Sequence, residues 1–303
     1  MKQRISIICT IVMMVLLVFG CGPKQLETTG ATHQVTDGTG TVVTVPTEPK
    51  HIVPIAASTE DIVLSLVDPS RVAAVGMVPN NVPDASAKVE KHVKASAESM
   101  LSVQPDLVLV PNWMSPDAIG EMRNMQIPVY VYKTPTTVEE AKATIHEIAG
   151  LLHASDESMI ASMDADLKTV EELTNKHSGE RPLVAFYSQF GLTGGKGSTF
   201  DDMCNYLKVN NAAAQIGLGP FDNGTREDLI KSNPDIIFIP SVAYTSDGTT
   251  PATAEQLYSD PALQGVKAIA NRRVYLVDSS QVMSYSQFMT RAMVSMAQNI
   301  YSM

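Results

Sequence analysis

Two stretches of this chain follow the same plan, 129 residues apart. SAESMLSVQPDLVLVPN at 96–112 aligns without a gap with TREDLIKSNPDIIFIPS at 225–241. In each stretch, a Ser or Thr suited to cap a helix is followed by a glutamate, an apolar pair, a Pro-Asp turn and an apolar run typical of a buried strand. A helix–turn–strand unit that recurs at this distance predicts two similar lobes.

The rest of the chain alternates between short apolar strands and helical segments. HIVPIA at 51–56 and VYVY at 129–132 are typical of buried strands, and TVEEAKATIHEIAGLLH at 137–153 is typical of a helix. Such alternation predicts sheets of parallel strands covered by helices, which is an α/β fold. The 303 residues, 44% of them hydrophobic, are enough for two lobes, since one domain usually takes about 100 to 150 residues.

One segment breaks this alternation. Residues 155–178 place apolar side chains at helical spacing over about six turns, which is longer than the helical segments before them. We therefore expect a stiff helix that connects an N-terminal lobe at 35–154 to a C-terminal lobe at 179–303. An ordinary crossover helix within one sheet is the alternative.

The first residues are typical of an export signal. Lys2 and Arg4 precede an uncharged run that is shorter than the roughly 20 apolar residues needed to cross a bilayer. The Gly-Cys pair that ends at Cys21 resembles the cleavage site of bacterial lipoproteins, in which the new N-terminal cysteine carries lipid. We expect a signal peptide at 1–20, lipidation of Cys21 and a flexible tether at 21–34, with an uncleaved anchor as the alternative. Both interpretations place the folded part outside the cytoplasm, attached to the cell membrane only at its N-terminus.

Charge and cysteine content exclude several classes of function. The net charge is −10, whereas surfaces that bind nucleic acid or anionic lipid need clustered basic residues. Of the three cysteines, Cys9 leaves with the signal and lipid occupies Cys21, so Cys204 has no partner for a disulfide. We expect no nucleic-acid partner, no disulfide framework and no Cys-rich metal site.

The glutamate in each repeated unit, Glu98 or Glu227, has two interpretations. A carboxylate in the first turn of a helix stabilises that helix through its dipole. Alternatively, two equivalent carboxylates, one on each lobe, form a matched pair of docking points for a basic partner. The residues alone leave both interpretations open.

The order of these features resembles a known family. The lipoprotein-like start, VTDGTGTVVTVPTEPKHIVPIAASTEDIVLSL, the two repeated units and the long mid-chain helix resemble the substrate-binding lipoproteins of ABC importers for iron chelates, haem and cobalamin. The resemblance implies two Rossmann-like lobes joined by one long helix, with the ligand in the cleft between them. It implies a monomeric binding protein, not an enzyme, with no intrinsic cofactor. It also implies a permease of two transmembrane subunits whose arginines pair with Glu98 and Glu227, which favours docking over the dipole.

Ligands of open α/β sheets bind at the carboxyl ends of the strands. The candidate ligand contacts follow predicted strands, and they are Ser58, Thr59, Met77, Trp113, Met114, Tyr187, Gln189, Tyr244, Met283 and Tyr285. Trp113 is the only tryptophan, and its flat ring suits the face of a macrocycle or chelate. Packing on the surface of its lobe is the alternative for Trp113.

The predicted ligand contacts include no arginine or lysine. This favours a corrinoid, haem or a neutral iron chelate over an anionic siderophore, and a tyrosine or methionine among these residues could ligate haem iron. A zinc- or manganese-binding protein of an ABC importer is an alternative, although the six histidines lack metal-ligand spacing. An exported α/β hydrolase is a further alternative, but the chain has no G-x-S-x-G motif.

Overall fold

A computed structural model describes residues 31–76, 81–241 and 253–301. The expected signal peptide, Cys21, Met77 and Tyr244 lie outside the described residues. Within the described part, no helix combines the length and the hydropathy needed to cross a bilayer.

Strands and helices alternate along most of the described chain. The strands are β1 (Thr32–Thr36), β2 (Val42–Pro46), β3 (Ile52–Pro54), β4 (Leu107–Pro111), β5 (Val129–Tyr132), β6 (Leu183–Ser188), β7 (Gly191–Thr193), β8 (Asn210–Asn211), β9 (Ile236–Pro240) and β10 (Val274–Val277). The α-helices are α1 (Ala57–Leu66), α2 (Pro83–Ser86), α3 (Ala97–Val103), α4 (Pro116–Asn124), α5 (Val138–Leu152), α6 (Glu157–Thr174), α7 (Thr199–Tyr206), α8 (Ala212–Gln215), α9 (Arg226–Ser232), α10 (Ala254–Ser259), α11 (Lys267–Ala270), α12 (Ser279–Val282) and α13 (Met289–Tyr301). Short 3₁₀ helices occupy Pro69–Arg71 and Pro261–Leu263.

The N-terminal lobe is built on the parallel sheet β3-β4-β5. The central strand β4 is buried along its whole length because both faces of the sheet are covered. Leu107 and Leu109 pack with α1 and α5 in one core, and Val108 and Val110 pack with α3 and α4 in another. The alternation of side chains along a strand therefore divides this apolar run between two cores.

A hairpin of β1 and β2 is attached to the edge of this sheet. The two strands are antiparallel, and the first begins at Thr32. The tether expected to end at residue 34 is therefore too long, because backbone pairing with β2 already orders the chain at Thr32. The N–H of Gly38 donates to the carbonyl of Val131 over 2.7 Å, and Asp37 forms an ion pair with Arg123.

The C-terminal lobe is built on a five-stranded sheet of order β10-β9-β6-β7, with β8 also paired to β6. Strands β10, β9, β6 and β8 are parallel, and β7 is antiparallel to β6. The central strand β9 is buried throughout, and its alternate residues again enter two cores. The α/β prediction with two similar lobes is therefore confirmed.

The long helix α6 lies between the two sheets in the chain. The strand before it, β5, belongs to the N-terminal sheet, and the strand after it, β6, belongs to the C-terminal sheet. It is therefore not a crossover helix within one sheet. Helix α13 packs along α6, and Met163 and Val170 of α6 share one core with Met293 and Ile300 of α13.

The repeated units have the same structure as well as the same sequence plan. Helices α3 and α9 have seven residues each, and both end at a left-handed residue, Gln104 at φ 49° and Asn233 at φ 47°. Asp106 and Asp235 then accept hydrogen bonds, at 2.7 and 2.8 Å, from backbone N–H groups at the start of the adjacent strand. The Pro-Asp turns thus anchor β4 and β9 to their neighbours in the same way.

Candidate functional site

The lobes meet where residues 279–288, after the last strand of the C-terminal sheet, lie against the start of α1. We call residues 279–288 the junction segment. The hydroxyl of Ser284 lies 3.1 Å from that of Ser58, and the N–H of Tyr285 donates to Ser58 Oγ over 3.3 Å. The junction segment therefore connects the C-terminal lobe to the N-terminal lobe through buried hydrogen bonds.

A buried carboxylate, Asp61, is the centre of these hydrogen bonds. It accepts from the backbone N–H and the Nδ2 of Asn81, at 2.6 and 2.8 Å, and from Ser286 Oγ at 3.1 Å. Its own carbonyl accepts from Gln287 Nε2 at 3.2 Å, and Asn81 Nδ2 also donates to the carbonyl of Ser280 at 2.8 Å. The side chain of Asp61 thus contacts Ser286 of the junction segment directly, and its backbone carbonyl contacts Gln287.

Burial has a large effect on the Asp61 carboxyl. Loss of solvent, with a smaller contribution from the charge of Glu60, raises its pKa from 3.8 to about 6, and the hydrogen bonds from Asn81 and Ser286 oppose the shift. Glu60 is itself only 1% exposed and accepts a hydrogen bond from the N–H of Gly76 at 2.8 Å. Two adjacent acidic residues of α1 are therefore buried next to the lobe junction.

An aromatic pair spans the junction. Trp113, in the loop after β4, donates from Nε1 to the hydroxyl of Tyr285 over 2.6 Å. The Tyr285 hydroxyl is also hydrogen-bonded to Tyr132, and burial raises the pKa of Tyr285, so this hydroxyl is neutral at physiological pH. Trp113 remains 57% exposed. The indole is therefore held from both lobes while much of its ring faces solvent.

Three of the residues predicted to contact the ligand are buried and contact other residues of the protein. Ser58 and Thr59 are buried, and Thr59 Oγ1 donates to the carbonyl of Ile55 over 2.6 Å. Met114 is 7% exposed and packs in the core of the N-terminal lobe. These side chains therefore have contacts within the protein, and their contact with a ligand stays a prediction. Met283, in contrast, is exposed at the end of α12.

Tyr187 and Gln189 lie at the carboxyl end of β6 in the other lobe. Burial raises the pKa of Tyr187, and the charge of Arg226 opposes the shift. The side-chain Nε2 and Oε1 of Gln189 are buried, and neither has a hydrogen-bond partner among the described residues. Buried amides are usually hydrogen-bonded, and ligand contact by Gln189 stays a prediction.

Two basic residues of the C-terminal lobe lie outside the predicted ligand contacts. Lys196 and Arg291 are both exposed, and the Arg291 guanidinium stacks over the Phe288 ring at 4.7 Å. Within the described ranges, no group of three His, Cys, Asp or Glu side chains is arranged to hold a metal ion.

Glu98 and Glu227 occupy equivalent, exposed positions at the second residue of α3 and α9. Neither carboxylate has a hydrogen bond or an ion pair within the described chain. Other side chains cap the two helices: Ser96 accepts from the N–H of Ser99 in α3, and Thr225 and Asp228 form a capping box in α9. Helix capping therefore leaves both glutamates free for a partner.

Comparison with known proteins identifies this architecture. A sequence profile described as "Periplasmic binding protein" matches residues 52–281, which run from β3 to α12 and include both sheets and α6. The chain belongs to the periplasmic binding protein family. The family expected from the sequence order is therefore confirmed.

Two curated relatives of this periplasmic binding protein cover most of its length. The uncharacterized ABC transporter substrate-binding lipoprotein YvrC of Bacillus subtilis (strain 168) is 27% identical, over 99% of this chain and 98% of that protein. A cobalamin-binding protein of Halobacterium salinarum (strain ATCC 29341 / DSM 671 / R1) is 22% identical, over 86% of this chain and 72% of that protein.

Solved structures share its fold. The periplasmic heme-binding protein RhuT from Roseiflexus sp. RS-1, in apo form, matches with a TM-score of 0.70 at 20% identity, over 84% of this chain and 98% of that one. The heme-binding protein HmuT matches with a TM-score of 0.74 at 18% identity, over 93% of this chain and 94% of that one. At these identities the likeness is one of fold.

Sequence reasoning missed part of the site of this periplasmic binding protein. Asp61 and Ser286, which join the lobes, were not among the predicted residues. The only signal was the acidic pair in STEDIVLSL, because Asp61 falls on a helix position that the apolar pattern assigns to the core. Its partners are about 20 and 225 residues away, and no local pattern connects such distant positions.

Proposed function

We propose that this protein is the extracytoplasmic binding component of an ABC importer, which captures a corrinoid, haem or a neutral iron chelate between its lobes and delivers it to the permease. The observation that carries the proposal is the matched, unpartnered pair Glu98 and Glu227, one on each lobe. A protein that only stored its ligand would not need equivalent free carboxylates on two lobes. The name of the B. subtilis relative, an ABC transporter substrate-binding lipoprotein, supports the same function.

In this proposal, a lipid on the N-terminal cysteine attaches the protein to the cell membrane. The signal peptide at 1–20 is removed and Cys21 carries the lipid, so a monomer is attached at the outer face of the membrane or in the periplasm. The permease contributes two transmembrane subunits with basic docking residues.

The ligand class follows from the side chains that remain available in the cleft. Trp113 presents an exposed ring for the face of a macrocycle or chelate, and Gln189 presents a buried amide for one of its polar groups. Tyr285 and Met283 lie on the junction segment, and Met77, Tyr187 and Tyr244 complete the proposed set. No arginine or lysine is among these residues, which favours a ligand without concentrated negative charge.

Ligand identity can be tested with the single tryptophan. We expect one of cyanocobalamin, haem or a neutral ferric hydroxamate to quench Trp113 fluorescence in a saturable titration and to remain bound, with its visible absorption, after gel filtration. Trp113→Phe keeps an aromatic face but loses the Tyr285 hydrogen bond, and we expect it to bind roughly tenfold more weakly. Because this variant has no tryptophan, its binding and that of the wild type are compared by the visible absorption of the bound probe. Absence of saturable binding by all three probes would contradict the proposed ligand class.

Delivery to the permease can be tested by charge reversal. Glu98→Arg combined with Glu227→Arg should abolish uptake of the probe that binds, because basic permease residues would then be repelled. Its affinity for the purified protein should stay unchanged. Glu255→Arg is the matched control, since Glu255 is also an exposed glutamate at the second residue of a helix, α10, but has no counterpart in the other lobe. Uptake that survives the double reversal would refute the docking role.

A further inference from the structure

Helices α3 and α9 each expose a large aliphatic side chain one turn after the glutamate. Leu101 is 43% exposed and Ile230 is 38% exposed. These residues are separated by the same 129 positions as Glu98 and Glu227. Residues three apart lie on the same face of a helix, so each carboxylate has an aliphatic neighbour on the outer surface of its lobe.

The match extends to the burial of the whole segment. From Glu98 to Ser102 and from Glu227 to Lys231, the residues are in turn exposed, half-buried, buried, exposed and exposed. The final exposed position differs in chemistry, serine in one helix and lysine in the other. The aliphatic character is therefore repeated only at Leu101 and Ile230, beside the two glutamates.

A single exposed leucine or isoleucine is common on protein surfaces and needs no explanation. Here the same exposed aliphatic position occurs on both lobes, and each time it adjoins a carboxylate that has no hydrogen bond or ion pair with another described residue. A partner with one binding surface could engage only one of these two faces. Two equivalent faces suit a partner that itself presents two equivalent surfaces.

We propose that Glu98 with Leu101, and Glu227 with Ile230, are two copies of one docking element, each of which binds a basic side chain and an adjacent apolar recess on one of two equivalent permease subunits. The inference rests on the proposed docking function and adds an apolar contact to it. The carboxylate acts over a distance and is screened by salt, whereas the aliphatic contact acts at short range and is not. Such a combination of apolar centre and charged rim is common in protein interfaces.

The experiment compares two double variants in the full-length lipoprotein. The partner is the detergent-solubilised permease complex that copurifies with the wild-type protein, and binding is measured by interferometry in about 0.05 M and about 0.5 M salt. Leu101→Ser with Ile230→Ser should weaken permease binding roughly tenfold or more at both salt concentrations. Glu98→Gln with Glu227→Gln should weaken it strongly in low salt and less in high salt.

Control variants show whether the effect belongs to this surface. Val42→Ser with Leu276→Ser removes two aliphatic side chains that are 59% and 60% exposed, one in each lobe and outside both helices. We expect no change in permease binding for this control. Leu101→Met with Ile230→Met should bind like the wild type, and unchanged circular dichroism and melting temperature would show that each variant folds.

The outcomes separate this inference from the function on which it rests. If the glutamine variant loses binding and the serine variant at 101 and 230 does not, the apolar contact is refuted and the docking function stands. If neither variant loses binding, the docking function fails and the inference fails with it. Self-association of the wild type that the serine variant abolishes, with permease binding unchanged, would assign these faces to a dimer and also overturn the inference.

Discussion

At the scale of single residues, Asp61 is a buried carboxylate that takes part in the hydrogen bonds of the lobe junction. Its carboxyl accepts hydrogen bonds from Asn81 and from Ser286 of the junction segment. A buried carboxylate is stable only when such donors satisfy it, since an unpaired charge in a protein interior is costly. The adjacent Glu60 adds a second acidic group to the same buried region.

The pKa of Asp61 predicts how stability depends on pH. Because burial raises it from 3.8 to about 6, the folded protein binds more protons than the unfolded chain between these values. The contribution of Asp61 to stability is therefore complete below the lower value and is lost as the pH rises through 6. Relative to Asp61→Asn, which does not titrate, the wild type should lose about 2 kcal/mol of unfolding free energy between pH 4 and pH 7.

Urea unfolding of both proteins at several pH values measures this difference. Asn at position 61 also loses an acceptor for the Asn81 amide, so only the change with pH is informative, and its absolute offset is not. A difference that stays constant from pH 4 to pH 7 would contradict a raised pKa of Asp61 in the folded protein.

At the scale of elements, the helix–turn–strand unit shows which features two lobes must share. In both copies the helix ends in a left-handed residue, and the aspartate after the proline binds the backbone of the adjacent strand. The residue at the left-handed position is less constrained, being glutamine in one copy and asparagine in the other. Asn233 has an additional bond, because its Oδ1 accepts from the N–H of Lys267 over 2.9 Å.

This difference predicts opposite effects of the same substitution. Gln104→Gly should raise the unfolding free energy by about 0.5 to 1 kcal/mol, because glycine adopts positive φ without the steric cost that glutamine has. Asn233→Gly should be neutral or destabilising, since asparagine tolerates this conformation and its bond to Lys267 is lost. Ser102→Gly, inside α3, is the control and should destabilise by about 0.5 to 1 kcal/mol. Destabilisation by Gln104→Gly in urea titrations would exclude a left-handed helix end there.

At the scale of the whole molecule, one core connects the two lobes. It contains Ile52 and Leu109 of the N-terminal lobe, Met163 of α6 and Phe238 of the C-terminal lobe, and α13 packs along α6. Together with the junction segment, this core gives the lobes two points of attachment. We therefore expect the lobes to unfold together.

Two native probes test whether unfolding is cooperative. Trp113 fluorescence reports on the N-terminal lobe and on its contact with Tyr285. Cys204, a free thiol that is buried in the C-terminal lobe, reacts with thiol reagents when that lobe opens. The two probes should give the same urea midpoint. Met163→Ala should reduce the free energy of unfolding by about 2 to 4 kcal/mol and therefore lower both midpoints. Different midpoints, or a shift of one probe alone, would show that the lobes unfold separately.

The amino-acid pattern alone predicts the strands, the helices and the Pro-Asp turns, as well as their order along the chain. Buried strands, amphipathic helices and capped Pro-Asp turns depend on residues a few positions apart, so the repeat at 96–112 and 225–241 was sufficient to predict two α/β lobes. The start of β1 at Thr32 and the ends of α6 at Glu157 and Thr174 differ from the bounds expected from the sequence, because hydrogen bonding across a hairpin and the packing of helix ends depend on residues outside the element.

The contacts of the polar side chains between the lobes are known only from the tertiary structure. Ser58 and Thr59 follow a strand as a ligand-binding residue would, yet both are buried against the junction segment and Ile55. The sequence pattern shows Asp61 only as a residue of a helix. Its hydrogen bond from Ser286, 225 positions later in the chain, is seen only in the folded structure. The physical reason is that periodicity reports which face of an element is buried, whereas the partner of a buried polar group depends on how distant elements pack.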